Sequence, residues 1–77
     1  MIVEVEYKKS VFKDLKKIGM PYSKRIIDKI ESELKEVPDR GVPLKGEFEG
    51  LFKLRSGNYR VIYAKTKTGV LILRISH

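Results

Sequence analysis

The chain opens on a period of two. In "MIVEVEY", Ile2, Glu4 and Glu6 alternate with Val3, Val5 and Tyr7, the pattern of a strand with one buried face. After Ser10 the period lengthens. Val11, Phe12, Leu15 and Ile18 recur at helical spacing, Ser10 stands where an N-cap belongs, and Gly19 marks the stop. Pro21 suits the first turn of a second helix, where its missing amide has no intrahelical partner anyway. That helix carries an apolar stripe of Ile26, Ile27, Ile30, Leu34 and Val37 and ends at Pro38. Glu31 and Lys35 form an i,i+4 pair in the favourable order. "PDRGVPLKGEFEG", with two prolines and three glycines, is a loop. Alternation then returns over roughly 50–55, 59–65 and 70–75, with turns at Ser56-Gly57-Asn58 and Lys67-Thr68-Gly69.

These elements predict a single α+β domain over residues 1–77, in the order β-αα-βββ. The two-helix hairpin packs on one face of a mainly antiparallel four-stranded sheet. A chain of 77 residues buries only about 60% of the surface its unfolded form exposes, so its stability margin is expected to be thin. Cysteine is absent, which excludes disulfides and thiolate metal sites and fits a reducing, cytoplasmic location. The single histidine, His77, leaves neither a His-rich metal site nor an internal His-based triad. No apolar run approaches the ~20 residues of a bilayer span, and no signal-peptide pattern begins the chain. The expectation is a soluble protein without metal, cofactor or membrane.

Charge sharpens the picture by its placement. Residues 1–40 hold ten Lys/Arg against eight Asp/Glu; residues 41–77 hold seven against two, and no acid follows Glu49. A one-signed half of this kind points to a polyanion, most simply nucleic acid, against the alternative of a lysine-rich solvated surface. The helices, mixed in sign, read as scaffold. Strand alternation puts Lys53 and Arg55 on one face and Phe52 and Leu54 on the other, towards the helices. In the next strand Arg60, Ile62 and Ala64 oppose Tyr59, Val61 and Tyr63, and strict alternation puts Arg74 with Val70 and Ile72. Both faces contain apolar residues, so the open face is expected to be concave or covered, and cations on such a floor hold an anion more tightly than on a hydrated surface.

Simpler roles compete at several positions. Arg74 could pair with Glu4 or Glu6, and Lys45 could reach phosphate or be loop polarity. Lys65 and Lys67 flank a turn and more often solubilise. Tyr59 and Tyr63 are more often core than base-stacking platforms. Lys53, Arg55 and Arg60 crowd one another on adjacent strands, and that repulsion makes a purely structural role the weaker explanation.

The stretch "PLKGEFEGLFKLRSGNYRVIY", followed by a turn and "GVLILRISH", resembles the RelE/ParE toxin superfamily of type II toxin–antitoxin systems; "FKDLKKI" in the first helix is similar too. The resemblance implies a small toxin held inactive by a cognate antitoxin that wraps it. RelE-like members enter the ribosomal A site and cut mRNA, whereas ParE-like members inhibit DNA gyrase. For the RNase branch a ribose 2′-OH attacks the adjacent phosphate. Lys53 then matches a catalytic lysine, Arg60 an arginine that stabilises the transition-state phosphate, and Arg55 an assisting phosphate ligand. Lys45, Arg55, Arg74 and His77 are the candidate nucleic-acid contacts. Two departures bear on turnover. A second lysine of the active RNases is Leu51 here, and the family's usual basic and aromatic continuation lies beyond His77, so the general acid and one phosphate clamp are missing unless His77 or a continuation of the chain replaces them. The expectation is therefore a RelE-like mRNA endoribonuclease with a weakened or incomplete site, partnered by antitoxin, mRNA and ribosome; a ParE-like gyrase inhibitor and a catalytically silent binding toxin are the alternatives.

Overall fold

A computed structural model describes residues 3–77; the expectation for Ile2 lies outside them. Strand β1 (Glu4–Tyr7) leads directly into helix α1 (Lys9–Ile18). Helix α2 (Tyr22–Lys29) runs on into a π-helical turn at Ile30–Leu34. A two-residue strand β2 (Val42–Pro43) and a 3-10 turn (Gly46–Phe48) break up the loop. Strands β3 (Leu51–Ser56), β4 (Tyr59–Lys65) and β5 (Gly69–Ser76) complete the chain.

The α+β class and the helix hairpin on one sheet face are as expected, but the sheet has five strands, in the order β1-β5-β4-β3-β2. The extra one is β2, which pairs antiparallel with β3 through Val42 opposite Lys53 and Pro43 opposite Phe52. A proline is tolerated there because β2 is an edge. β1 pairs parallel with β5, and the other ladders are antiparallel. The β3–β4 hairpin closes through Gly57 and Asn58 with φ +60° at Gly57, the conformation a two-residue turn asks of a glycine in its first central position.

Ser10 is not the N-cap. The Lys8 N–H donates to Ile72 O at 2.9 Å, so the last β1–β5 bond holds Lys8 extended. Helix α1 starts one residue later, and Ser10 falls inside its first turn, with no side-chain cap. The second stripe also ends early. Ile26, Ile30 and Leu34 are buried, at steps of four, while Val37 is 40% exposed. In an α-helix such steps drift sideways; the wider π turn keeps them in line against the sheet.

The core between helices and sheet consists of Val11, Leu15, Ile26, Ile30, Leu34, Leu54, Val61, Tyr63, Val70, Ile72 and Ile75. Tyr63 belongs to it, stacked on Phe52 with ring centroids 5.3 Å apart. Its hydroxyl donates to Pro38 O at 2.8 Å and accepts the Gly41 N–H at 2.9 Å, tying the loop after α2 to the sheet. α1 is fastened to β5 by the Ile75 N–H, which donates to Asp14 Oδ2 at 3.1 Å.

Candidate nucleic-acid interface

The helices leave the other sheet face open, and the strand registers decide what stands on it. Lys53 pairs with Ile62, and Ile62 with Arg74, so these three form one row across β3, β4 and β5. Arg55, Arg60 and Ser76 form the next row. Cross-strand partners point to the same face, so Lys53, Arg55, Arg60 and Arg74 all stand on the open side. With strands ~4.8 Å apart, the backbones carrying Lys53 and Arg74 are about 10 Å apart, a gap that long side chains close around a phosphate.

Arg74 corrects the strict-alternation expectation. The β4–β5 register shifts between Ile62 and Tyr63: Tyr63 faces Ile72, but Ile62 faces Arg74. Leu73 is thus an extra residue, a β-bulge, and the two sides of β5 exchange after it. Val70 and Ile72 point into the core before the bulge and Ile75 after it. Arg74 is sent to the open face with Lys53, and not to the side of Val70 and Ile72. It makes no ion pair with Glu4 or Glu6.

A depression of about 510 Å³ opens on this face, lined by Leu44, Phe48, Leu51, Lys53, Arg60, Ile62, Arg74 and Ser76. Its floor is largely apolar and its charge comes from three cations. Among the described residues no carboxylate pairs with Lys53, Arg55, Arg60 or Arg74. Acids near the fold's other cations are taken by Lys29, Lys35, Arg40 and Lys65, the last paired with Asp39. Arg55 and Arg60 face each other directly across the ladder, an arrangement that costs stability when nothing anionic lies between them.

The remaining candidates are placed apart. Arg55 stands on the same face beyond the rim, and Lys45 is exposed between Leu44 and the 3-10 turn without lining the depression. His77 lies around the end of β5, edge-on to Tyr59 at 5.3 Å; it does not line the depression but shares an adjacent recess with Arg74. Leu44, Phe48 and Ser76 line the depression although the sequence pattern does not single them out; no local signal marks them, because the loop fold brings the first two in. Among the described residues no cluster of His, Asp or Glu could hold a metal ion, and no helix is long and apolar enough to cross a membrane.

A small α+β domain with one sheet face under a helix hairpin and the other open, cationic and floored with apolar side chains is the class these features define. The family described as the ParE toxin of type II toxin–antitoxin systems, parDE, matches residues 5–77. A chain of the RelBE2 toxin–antitoxin complex from Mycobacterium tuberculosis superposes with a TM-score of 0.92 at 30% identity, over 100% of this chain and 99% of that one. The archaeal RelE–RelB complex from Pyrococcus horikoshii OT3 gives 0.75 at 24% identity, over 99% and 94%. A mutant of E. coli toxin RelE in the free state gives 0.77 at 22%, over 99% and 83%. The latter two likenesses concern the fold. Among curated proteins none matches the sequence significantly. The chain belongs to the ParE toxin family, within the RelE/ParE superfamily of type II toxin–antitoxin toxins.

Proposed function

We propose that this toxin acts as a RelE-like, ribosome-dependent mRNA endoribonuclease, gripping the scissile phosphate in the open-face depression. The observation that carries the reading is the grouping of Lys53, Arg60 and Arg74 on an apolar floor with no carboxylate partner among the described residues. A polyanion neutralises these cations, and the floor of Leu51, Ile62 and Phe48 excludes water and strengthens the attraction. In the reaction the 2′-oxygen bonds to phosphorus and the bond from phosphorus to the 5′-oxygen breaks. Lys53 is the residue we assign to take the 2′-OH proton. Arg60 and Arg74 hold the charge that builds on the phosphorane, the task suited to a planar guanidinium fork. The residues lining the depression offer neither imidazole nor carboxyl, so the leaving oxygen takes its proton from water and turnover is slow. A cognate antitoxin silences the toxin by covering this face, where Phe48 is 54% exposed; an antitoxin partner is supported by the likeness to a chain of the RelBE2 toxin–antitoxin complex.

A second reading, a ParE-like gyrase inhibitor, is favoured by the ParE family match and by the missing acid. Primer extension on mRNA in translating ribosomes, beside a gyrase supercoiling assay, separates the two. Codon-positioned cuts that vanish in Lys53→Ala and Arg60→Ala are expected. Intact mRNA with blocked supercoiling would overturn the RNase reading in favour of gyrase, and neither effect would leave a binding-only toxin.

A further inference from the structure

Around the end of β5, on the helix side of the sheet, lies a cleft that the RNase reading does not use. It has a volume of about 400 Å³ and runs between the start of α2, with Tyr22 and Arg25, and the β3–β4 turn, with Ser56 and Asn58; Tyr59 and His77 close it. Its walls are mostly planar groups. Tyr22 and Tyr59 lie 6.1 Å apart, the Arg25 guanidinium sits 5.8 Å from the Tyr22 ring centroid, and His77 meets Tyr59 edge-on at 5.3 Å. Tyr22 is half exposed, so part of its ring meets water beside Arg25 and Tyr59.

The cleft and the cationic depression each share lining residues with a recess between them. Arg74 and Ser76 line both the depression and an intermediate recess of about 370 Å³, and Tyr59 and His77 line both that recess and the cleft. A chain whose phosphate is held between Lys53, Arg60 and Arg74 would follow this shared lining around the end of β5, beside Lys17 and Asp14 of the recess, to the aromatic walls; the Asp14 carboxylate there already accepts the Ile75 N–H. Three planar rings and a guanidinium fit a flat, unpaired heterocycle, since aromatic and arginine planes stack on any base.

We infer that the Tyr22–Arg25–Tyr59–His77 cleft is a stacking subsite for an unpaired nucleobase of the same RNA strand, one or a few nucleotides from the phosphate in the depression. The inference rests on the RNA reading proposed above. It assigns affinity rather than chemistry to these side chains and accepts any of the four bases, because the rings contribute stacking and little edge recognition.

The test uses fluorescence anisotropy with a labelled single-stranded RNA ten-mer and a matched ribose–phosphate chain of abasic sites. Tyr22→Leu is expected to weaken binding of the RNA roughly 5- to 100-fold and leave binding of the abasic chain unchanged; Tyr22→Phe, which keeps the ring, restores it. Arg60→Ala weakens both ligands. Unchanged RNA affinity in Tyr22→Leu, with the Arg60→Ala loss intact, overturns the subsite and leaves the RNA reading standing. Equal losses on both ligands in Tyr22→Leu assign the ring a structural role and overturn it too. Loss of affinity for the purified antitoxin alone would make the cleft a protein-docking site and overturn the base subsite. If the wild-type chain binds neither ligand, the subsite falls, while the ribosome-dependent reading is decided by the primer-extension assay.

Discussion

Arg74 stands opposite Ile62 across the β4–β5 ladder, and Lys53 stands opposite Ile62 on its other side. One apolar residue thus spaces two cations over a single depression, and the bulge absorbs Leu73 so that Arg74 keeps this face. Deleting Leu73 should remove the bulge while keeping Tyr63 against Ile72 and Ile62 against Arg74. A folded protein with RNA affinity within about threefold of wild type is expected, because Arg74 keeps its face. Deleting Leu71, before the bulge, should slip the register and unfold the chain. Circular dichroism and anisotropy check both.

The Arg55–Arg60 pairing predicts a trade between stability and function. Like charges directly opposite cost about 0.2–1 kcal/mol, so Arg60→Gln should match or exceed wild type in urea denaturation. The same change should cut RNA cleavage in translating ribosomes by about 100-fold or more, the scale for losing one transition-state donor. It should also flatten the salt dependence of RNA binding by about 0.7 in log–log slope for each phosphate that is no longer neutralised. A variant both unstable and fully active would contradict the assignment.

Gly41 and Tyr63 form a second dependent pair. A Cβ on Gly41 would lie 2.6 Å from Tyr63 Oη and 2.9 Å from Lys53 O, and neither neighbour can retreat from the packed core. Gly41→Ala should cost about 1–3 kcal/mol. Tyr63→Phe leaves the Gly41 N–H and Pro38 carbonyl without their partner and should cost a similar ~1–3 kcal/mol. Because both act on one loop, the double variant should lose less than the sum, as measured by the shift in denaturation midpoint.

Acid sensitivity is expected at Glu31. The Tyr7 hydroxyl donates to its carboxylate at 2.7 Å and Lys35 lies 2.9 Å away; the first of these, then the second, holds its pKa below the ordinary carboxylate value. Its contribution is therefore complete above about pH 5 and fades as pH falls through the depressed value. Glu31 is partly exposed, so the effect should stay below about 1 kcal/mol. Burial, followed by the bond to Glu31, raises the Tyr7 phenol above its usual value, and this contribution fades as pH rises beyond about 10. Tyr7→Phe should flatten both arms of the stability–pH profile between about pH 3 and 11.

Much of the fold was legible because its periods are local. The alternation of Phe52 and Leu54 against Lys53 and Arg55 needs only strand geometry, and the family likeness rests on contiguous residues such as "KLRSGNYRVIY". Ser10 misled because a cap depends on where the preceding strand lets go, and the β1–β5 pairing is set by residues far along the chain, Lys8 bonding to Ile72. Strand β2 was hidden in a Pro/Gly-rich loop whose pairing with β3 has no local signature.

The sequence by itself settled the order of the elements other than β2, the helix-facing stripe and the concentration of cations after Gly50, because spacing and charge are properties of neighbouring residues. Only the tertiary structure decided which cations meet. The face of Arg74 depends on Leu73 being accommodated as a bulge in the ladder with β4, and the placement of His77 depends on how the end of β5 turns against Tyr59. Both follow from cross-strand registry, a relation between distant segments that no single stretch of chain encodes.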